Sequence, residues 1–211
     1  MKPDTRRESI AGPAGAIECA IDEPPDAVRG TAVLCHPHPQ FGGTMDNKVV
    51  QTLARAFLQL GWRAVRFNFR GVGDSAGHWD EGRGEIDDAL AVIAAQRAAA
   101  PGLPLDLGGF SFGGYVAAQA AARLVADPAA KPVRRLVLVA PATSRFTMPA
   151  VVAPDTVLIH GEADDVVPLA AVFDWARPQS LPVTVIPGAG HFFHGQLPLL
   201  RSLVVGAWHR Q

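Results

Sequence analysis

The stretch Leu105-Asp106-Leu107-Gly108-Gly109-Phe110-Ser111-Phe112-Gly113-Gly114 joins a short apolar segment to an alanine-rich one that runs to Val125. Gly109, Ser111 and Gly113 spell Gly-x-Ser-x-Gly, the pattern of a nucleophile elbow. The reason for the glycines is steric. A sharp strand-to-helix turn holds the serine in a strained backbone conformation, and side chains at the flanking positions would collide across it. The turn also sets Ser111 at the N-terminus of the next helix, where unpaired N–H groups and the positive dipole end favour a developing oxyanion. Small-residue loops also end strands without doing chemistry, so the motif gains meaning from its surroundings.

Outward from it, the chain alternates. Upstream, the apolar run 31–35 is short and ends in His36-Pro37-His38-Pro39, as suits a strand buried on both faces. Val49, Val50, Leu53, Ala54, Phe57 and Leu58 then fall on one helical face, with Gly61 where a helix stops. Residues 62–68 read as a strand, followed by a Gly-rich loop and a helix whose inner face is Ile86, Ala89, Leu90, Ile93 and Ala94, closed by Pro101-Gly102. Downstream, 135–139 and 156–159 read as buried strands, 169–175 as a helix and 183–186 as the last strand. A terminal helix from about Gln196 turns Leu197, Leu200, Leu203, Val204, Ala207 and Trp208 inward, with Pro198 tolerable in its first turn. Extended segments 8–10 and 16–21, broken by Gly12, Pro13 and Gly15, predict an N-terminal antiparallel hairpin. The expected fold is α/β, one domain over 1–211, with a mostly parallel central sheet covered by helices on both faces. Ligands of such sheets bind outside the carboxyl ends of the strands.

Composition narrows the function. The chain has 211 residues, of which 48% are apolar, and 19 Lys plus Arg against 20 Asp plus Glu give a formal charge of −1. With no run of like charge, nucleic acid is not an expected partner. No stretch reaches the roughly 18 apolar residues of a membrane span, and Met1 to Glu8 lacks a secretory apolar core, so a soluble, cytoplasmic protein is expected. Cys19 and Cys35 are too few for a disulfide framework and read as interior thiols. His36, His38, His160, His191 and His194 show chelating spacings without an acidic ligand pattern, and 71–73 lacks the Walker lysine, so neither a metal site nor a nucleotide site is expected.

A serine hydroxyl needs a base within hydrogen-bond reach, usually a histidine oriented by a carboxylate. The strand at 156–159 ends in His160-Gly161-Glu162-Ala163-Asp164-Asp165-Val166-Val167-Pro168, and the last strand ends in Pro187-Gly188-Ala189-Gly190-His191. Serine, then acid, then histidine is the chain order that α/β-hydrolases use. Together with Leu34-Cys35-His36-Pro37-His38-Pro39-Gln40-Phe41-Gly42-Gly43, Arg66-Phe67-Asn68-Phe69-Arg70-Gly71-Val72-Gly73-Asp74-Ser75 and Gly190-His191-Phe192-Phe193-His194, these segments come in one order. From about Thr31 onward the chain resembles a small serine hydrolase of the α/β-hydrolase superfamily, of the compact kind without a lid.

The resemblance implies that Ser111 is the nucleophile, His191 the general base and Asp164 the residue that orients it. It favours Asp164 over Asp165 through the spacing of Gly161, Asp164 and Val167, which the family shows after this strand. The short loop after the last strand favours His191 over His194, which is expected to begin the terminal helix. One oxyanion donor is expected to be the Phe112 N–H. The other comes from the loop after the 31–35 strand, where Pro37 and Pro39 have no N–H. Of His38, Gln40 and Phe41, the preferred donors are Gln40 or Phe41, because Gly42-Gly43 allows close approach. The segment 140–155 is too short for a helical cap, so the site should be open, with Phe41, Phe110, Phe112, Phe146, Met148 and Phe192 as candidate walls. The implied function is hydrolysis of short to medium acyl esters, with a small acyl compound as substrate and no cofactor. Thioesterase, acyltransferase, peptidase or lactone hydrolase use the same residues, and a non-catalytic binding module is the alternative of another class.

Overall fold

A computed structural model describes residues 5–209. Eight strands form one sheet in the order β1-β2-β4-β3-β5-β6-β7-β8. They are β1 (Arg6–Gly12), β2 (Gly15–Asp22), β3 (Thr31–Cys35), β4 (Arg63–Phe67), β5 (Leu105–Phe110), β6 (Leu136–Val139), β7 (Val157–Gly161) and β8 (Val183–Ile186). β1 pairs antiparallel with β2, and β2 antiparallel with β4; from β4 to β8 every pairing is parallel. The hairpin strands are longer than the sequence suggests, because the register Ile10↔Ile17 and Gly12↔Gly15 closes the ladder up to a two-residue turn.

Among the described residues, five α-helices cover the sheet: α1 (Lys48–Gln59), α2 (Arg83–Ala99), α3 (Phe112–Ala126), α4 (Leu169–Ala176) and α5 (Leu197–His209). Successive side chains of a strand point to opposite faces, and β3 shows the result. Val33 and Cys35 join the core under α2, α3 and α4, with Ile86, Val92, Val116, Ala120 and Val172. Ala32 and Leu34 join the core under α1 and α5, with Leu53, Phe57, Leu200 and Val204. Both faces are therefore apolar, which is why these strands read as continuous apolar runs. Asn47 starts α1 by accepting from the N–H of Val49 and Val50. No described helix is long and apolar enough to cross a membrane.

The buried face of α2 differs from expectation. Ala94 is exposed and Leu90 only half-buried, while Glu85 and Asp88 are buried. Glu85 accepts from the N–H groups of Asp80 and Gly82, and Asp88 holds Arg70 by two parallel hydrogen bonds. Charged residues can be buried when they are paired in this way.

After β3 the chain moves outward to β4, then returns to place β5 on the other side of β3. The strand order reverses there, and the crevice at such a switch point is where open α/β sheets bind ligands. The two loops at this point are the proline-rich one after Cys35 and the turn that carries Ser111.

Candidate active site

Ser111 stands between β5 and α3 at φ 56°, ψ −120°, outside both the helical and the extended regions. The close packing that forces this turn explains both glycines. A Cβ on Gly109 would lie 2.0 Å from the Gly113 carbonyl oxygen, and one on Gly113 would lie 2.3 Å from that of Cys35. The Ser111 N–H donates to Val139 O at 2.9 Å, and its carbonyl accepts from Gly114 and Ala142. The Oγ is thereby directed past the strand ends at the mouth of a cleft.

Asp164 and His191 come to the same place from the ends of β7 and β8. Their loops are tied together by Ala163 N–H donating to Ala189 O at 2.9 Å. Asp164 Oδ1 accepts from the N–H groups of Val166 and Val167 at 2.9 and 2.8 Å, and Oδ2 lies 2.7 Å from His191 Nδ1. Burial pushes the Asp164 carboxyl up, but the His191 hydrogen bond and the two N–H donors outweigh it and hold the group below the usual carboxylate range. An ionised carboxylate only accepts, so the His191 proton sits on Nδ1. That leaves the Nε2 lone pair facing Ser111 Oγ, 3.0 Å away. All three side chains are nearly buried, with Ser111 8% exposed. Phe110 packs against the His191 ring at 4.9 Å between centroids.

Asp165 is exposed and outside this chain of hydrogen bonds. His194 is also exposed and lies in the turn before α5 rather than at its start, since Gly195 and Gln196 intervene. His160 meets both its own loop and the acid. Its Nε2 lies 2.9 Å from Val167 O and 3.4 Å from Asp164 Oδ2. Because Val167 O only accepts, the proton is on Nε2, close to the same carboxylate oxygen that meets His191. Burial lowers the His160 pKa, so the ring is neutral. The position directly before Gly161 in the acid loop was the available sequence signal.

The oxyanion region corrects the preference for Gln40 or Phe41. Pro39–Phe41 forms a 3₁₀ turn, in which Gln40 N–H donates to His38 Nδ1 and Phe41 N–H to His38 O, at 3.3 and 3.1 Å. Both donors are consumed locally. The His38 N–H meets no acceptor among the described residues, and Phe112 is the first residue of α3, where an N–H has no intrahelical partner. Gly43 folds the loop back, its N–H donating to His38 O.

The cleft measures about 380 Å³. Of the six candidate wall residues, Phe41, Phe112, Phe146 and Phe192 line it. Phe110 and Met148 belong instead to the cores under the sheet. The connection 140–156 carries no helix, and its Ala142, Arg145 and Phe146 line the cleft. Among the described residues, no three His, Cys, Asp or Glu side chains are grouped to hold a metal.

Comparisons agree with this architecture. Residues 33–155 match the family described as alpha/beta hydrolase fold. The structure of XC6422 from Xanthomonas campestris, described as an a/b serine hydrolase without lid, superposes with a TM-score of 0.89 at 40% identity, covering 100% of this chain and 96% of that one. An alpha-beta serine hydrolase homologue from Coxiella burnetii gives 0.83 at 38% identity, with 98% of both chains covered. The uncharacterized protein RP471 of Rickettsia prowazekii (strain Madrid E) is 38% identical over 109 residues, a match that spans 51% of this chain and 46% of that relative. With its serine elbow, its eight-stranded sheet and no cap over the cleft, the chain belongs to the α/β-hydrolase superfamily, beside its small lidless serine hydrolases.

Proposed function

We propose that the chain is a carboxylic-ester hydrolase that works on short to medium acyl esters through Ser111, His191 and Asp164. The observation that carries this reading is the unbroken run of hydrogen bonds from Asp164 through His191 to Ser111 Oγ, at 2.7 and 3.0 Å, opening on an apolar cleft. His191 Nε2 takes the hydroxyl proton as Oγ attacks the ester carbonyl carbon, and the π electrons move onto the carbonyl oxygen. The N–H groups of Phe112 and His38 hold that oxyanion, each donor supplying about 3–4 kcal/mol of transition-state stabilisation. Asp164 stabilises the imidazolium. Collapse of the adduct breaks the ester C–O bond, and the leaving alkoxide takes the proton from His191, leaving the acyl group on Oγ. Water, deprotonated by the same nitrogen, then attacks the acyl carbon; Oγ leaves, regains the proton, and the acid departs.

The cleft fits this substrate class by size and lining, since a pocket of a few hundred Å³ with aromatic walls accepts a small apolar acyl chain. Hydrolysis of 4-nitrophenyl acetate and butyrate tests the reading, with Ser111→Ala as control. Turnover by the wild type that vanishes in the folded variant supports it. Equal rates in both proteins, with no labelling of Ser111 by a fluorophosphonate, overturn it in favour of a binding module.

A further inference from the structure

The ester-hydrolase reading leaves two polar groups of the cleft without a task. Arg145 lies in the connection after β6, and its place is fixed close to the nucleophile: Ala142 N–H donates to Ser111 O at 3.2 Å, and the N–H groups of Arg145 and Phe146 both donate to Ala142 O. Arg145 lines the cleft and is exposed; among the described residues its side chain makes no ion pair and no hydrogen bond. No Asp or Glu lines the cleft. The positive charge is therefore uncompensated in a space that is otherwise mainly aromatic.

His38 is the second group. Its ring sits among Phe41, Trp79, Phe112 and Phe146, with centroids 4.4 to 6.0 Å away. Nδ1 accepts from Gln40 N–H, so the ring proton is on Nε2. Burial, and then the nearby Arg145 charge, lower the His38 pKa and keep the imidazole neutral. The ring thus offers one N–H donor that is free of partners among the described residues. A cation beside a neutral donor, both facing an apolar cleft, complements a planar anion with two acceptor oxygens.

We propose that the cleft selects esters that carry a carboxylate, bound by the Arg145 guanidinium and the Nε2–H of His38. This rests on the ester-hydrolase reading. A single charged contact at an exposed site favours the anionic ester over its neutral twin by about twofold to fivefold.

The test compares kcat/KM within two matched pairs. Mono-4-nitrophenyl glutarate against 4-nitrophenyl valerate puts the carboxylate on the acyl side, and 4-acetoxybenzoate against its methyl ester puts it on the leaving side. Each ratio is divided by that of the uncatalysed hydrolysis of the same pair, which removes the difference in intrinsic reactivity; the wild type then favours the anion in at least one pair, added salt shrinks that ratio, Arg145→Gln brings it to about one, and Arg145→Lys restores part of it. The ratio is taken within each protein, so a partial loss of folded protein cancels. A wild-type ratio of one in both pairs, or a preference that survives Arg145→Gln, overturns the subsite while the ester-hydrolase reading stands. Absence of turnover of all four esters defeats that reading and the subsite with it.

Discussion

Replacing Ser111 by alanine and by glycine separates its chemistry from its strain. Either change removes Oγ and with it the hydrogen bond to His191, so that loss cancels between the two variants. What differs is the backbone. At φ 56° and ψ −120° any residue with a Cβ is strained, and since ψ also lies outside the left-handed helical region the cost falls toward the upper end of about 1–3 kcal/mol. Glycine relieves that strain, but gives back about 0.5–1 kcal/mol through the greater freedom of its unfolded chain and about 0.8 kcal/mol through the lost burial of the methyl group. The balance favours Ser111→Gly over Ser111→Ala by about 1 kcal/mol, or about 2–4 °C in Tm for a chain of this length. Urea unfolding followed by circular dichroism measures the difference, with both variants inactive on 4-nitrophenyl butyrate. An alanine variant as stable as the glycine variant, or more so, would falsify the claim that the elbow stores strain.

Asp164→Asn should lower kcat/KM by about 10³–10⁴, because a neutral amide neither fixes the His191 tautomer nor stabilises the imidazolium; Asp165→Asn, at an exposed position, should change it by less than about twofold. A larger effect at 165 would reassign the acid. For His160, loss of the Nε2–H in His160→Leu should reduce kcat about tenfold with little change in KM, while His160→Gln, which keeps a donor at that atom, should recover most of it; a drop that glutamine does not rescue would leave His160 a packing role only. His36 is buried, with Nδ1 at 2.6 Å from Pro37 O and Nε2 accepting from Phe69 N–H, and burial pushes its pKa down to about 4. The unfolded chain takes up this proton at about pH 6.5 and the folded one only near 4, so the group makes stability fall by about 3 kcal/mol as the pH drops through that interval. Urea unfolding at several pH values should show a shallower slope for His36→Gln, and an unchanged slope would place the acid sensitivity elsewhere.

The parts of this molecule that the sequence makes legible are those set by short-range sterics or by unbroken apolar runs. The elbow is one, since only glycine tolerates the 2.0 and 2.3 Å approaches at 109 and 113. The parallel strands are another, because burial on both faces leaves no polar position to confuse the period. The second oxyanion donor is not legible in the same way. Which N–H of the loop stays free depends on which ones the 3₁₀ turn consumes, and the Gly42-Gly43 pair that drew attention to Gln40 and Phe41 serves instead to fold the loop back onto His38 O. Counting apolar residues also misjudged α2, where Glu85 and Asp88 are buried through partners at Asp80, Gly82 and Arg70. Glu85 bonds at the start of its own helix and Asp88 reaches Arg70 in another loop, and apolar periodicity reveals neither. The contact of His160 with Asp164 depends on how the loop that carries both of them folds.

The division of labour between sheet and loops follows from the registers. Cys35 sits opposite Gly109, and Gly161 opposite Ile186, so the backbone ladders bring the loop after β3 alongside the elbow and the acid loop alongside the histidine loop before any side chain is chosen. Ladder hydrogen bonds hold these pairings, and a slip by one residue would exchange the side chains around which the two cores are packed. The groups that would handle protons therefore hang on the most constrained backbone in the chain. Phe41, Arg145, Phe146 and Phe192 do not. They come from connections that cross the open end of the sheet, where the backbone is held by a few turn bonds; Phe41 and Arg145 are exposed there, while Phe146 also packs against the core under α2 and α3 and Phe192 against Phe110. With no cap above them, these few side chains are the surface a substrate meets first, and a change of selectivity can occur there while the hydrogen bonds from Ser111 to Asp164 stay as they are.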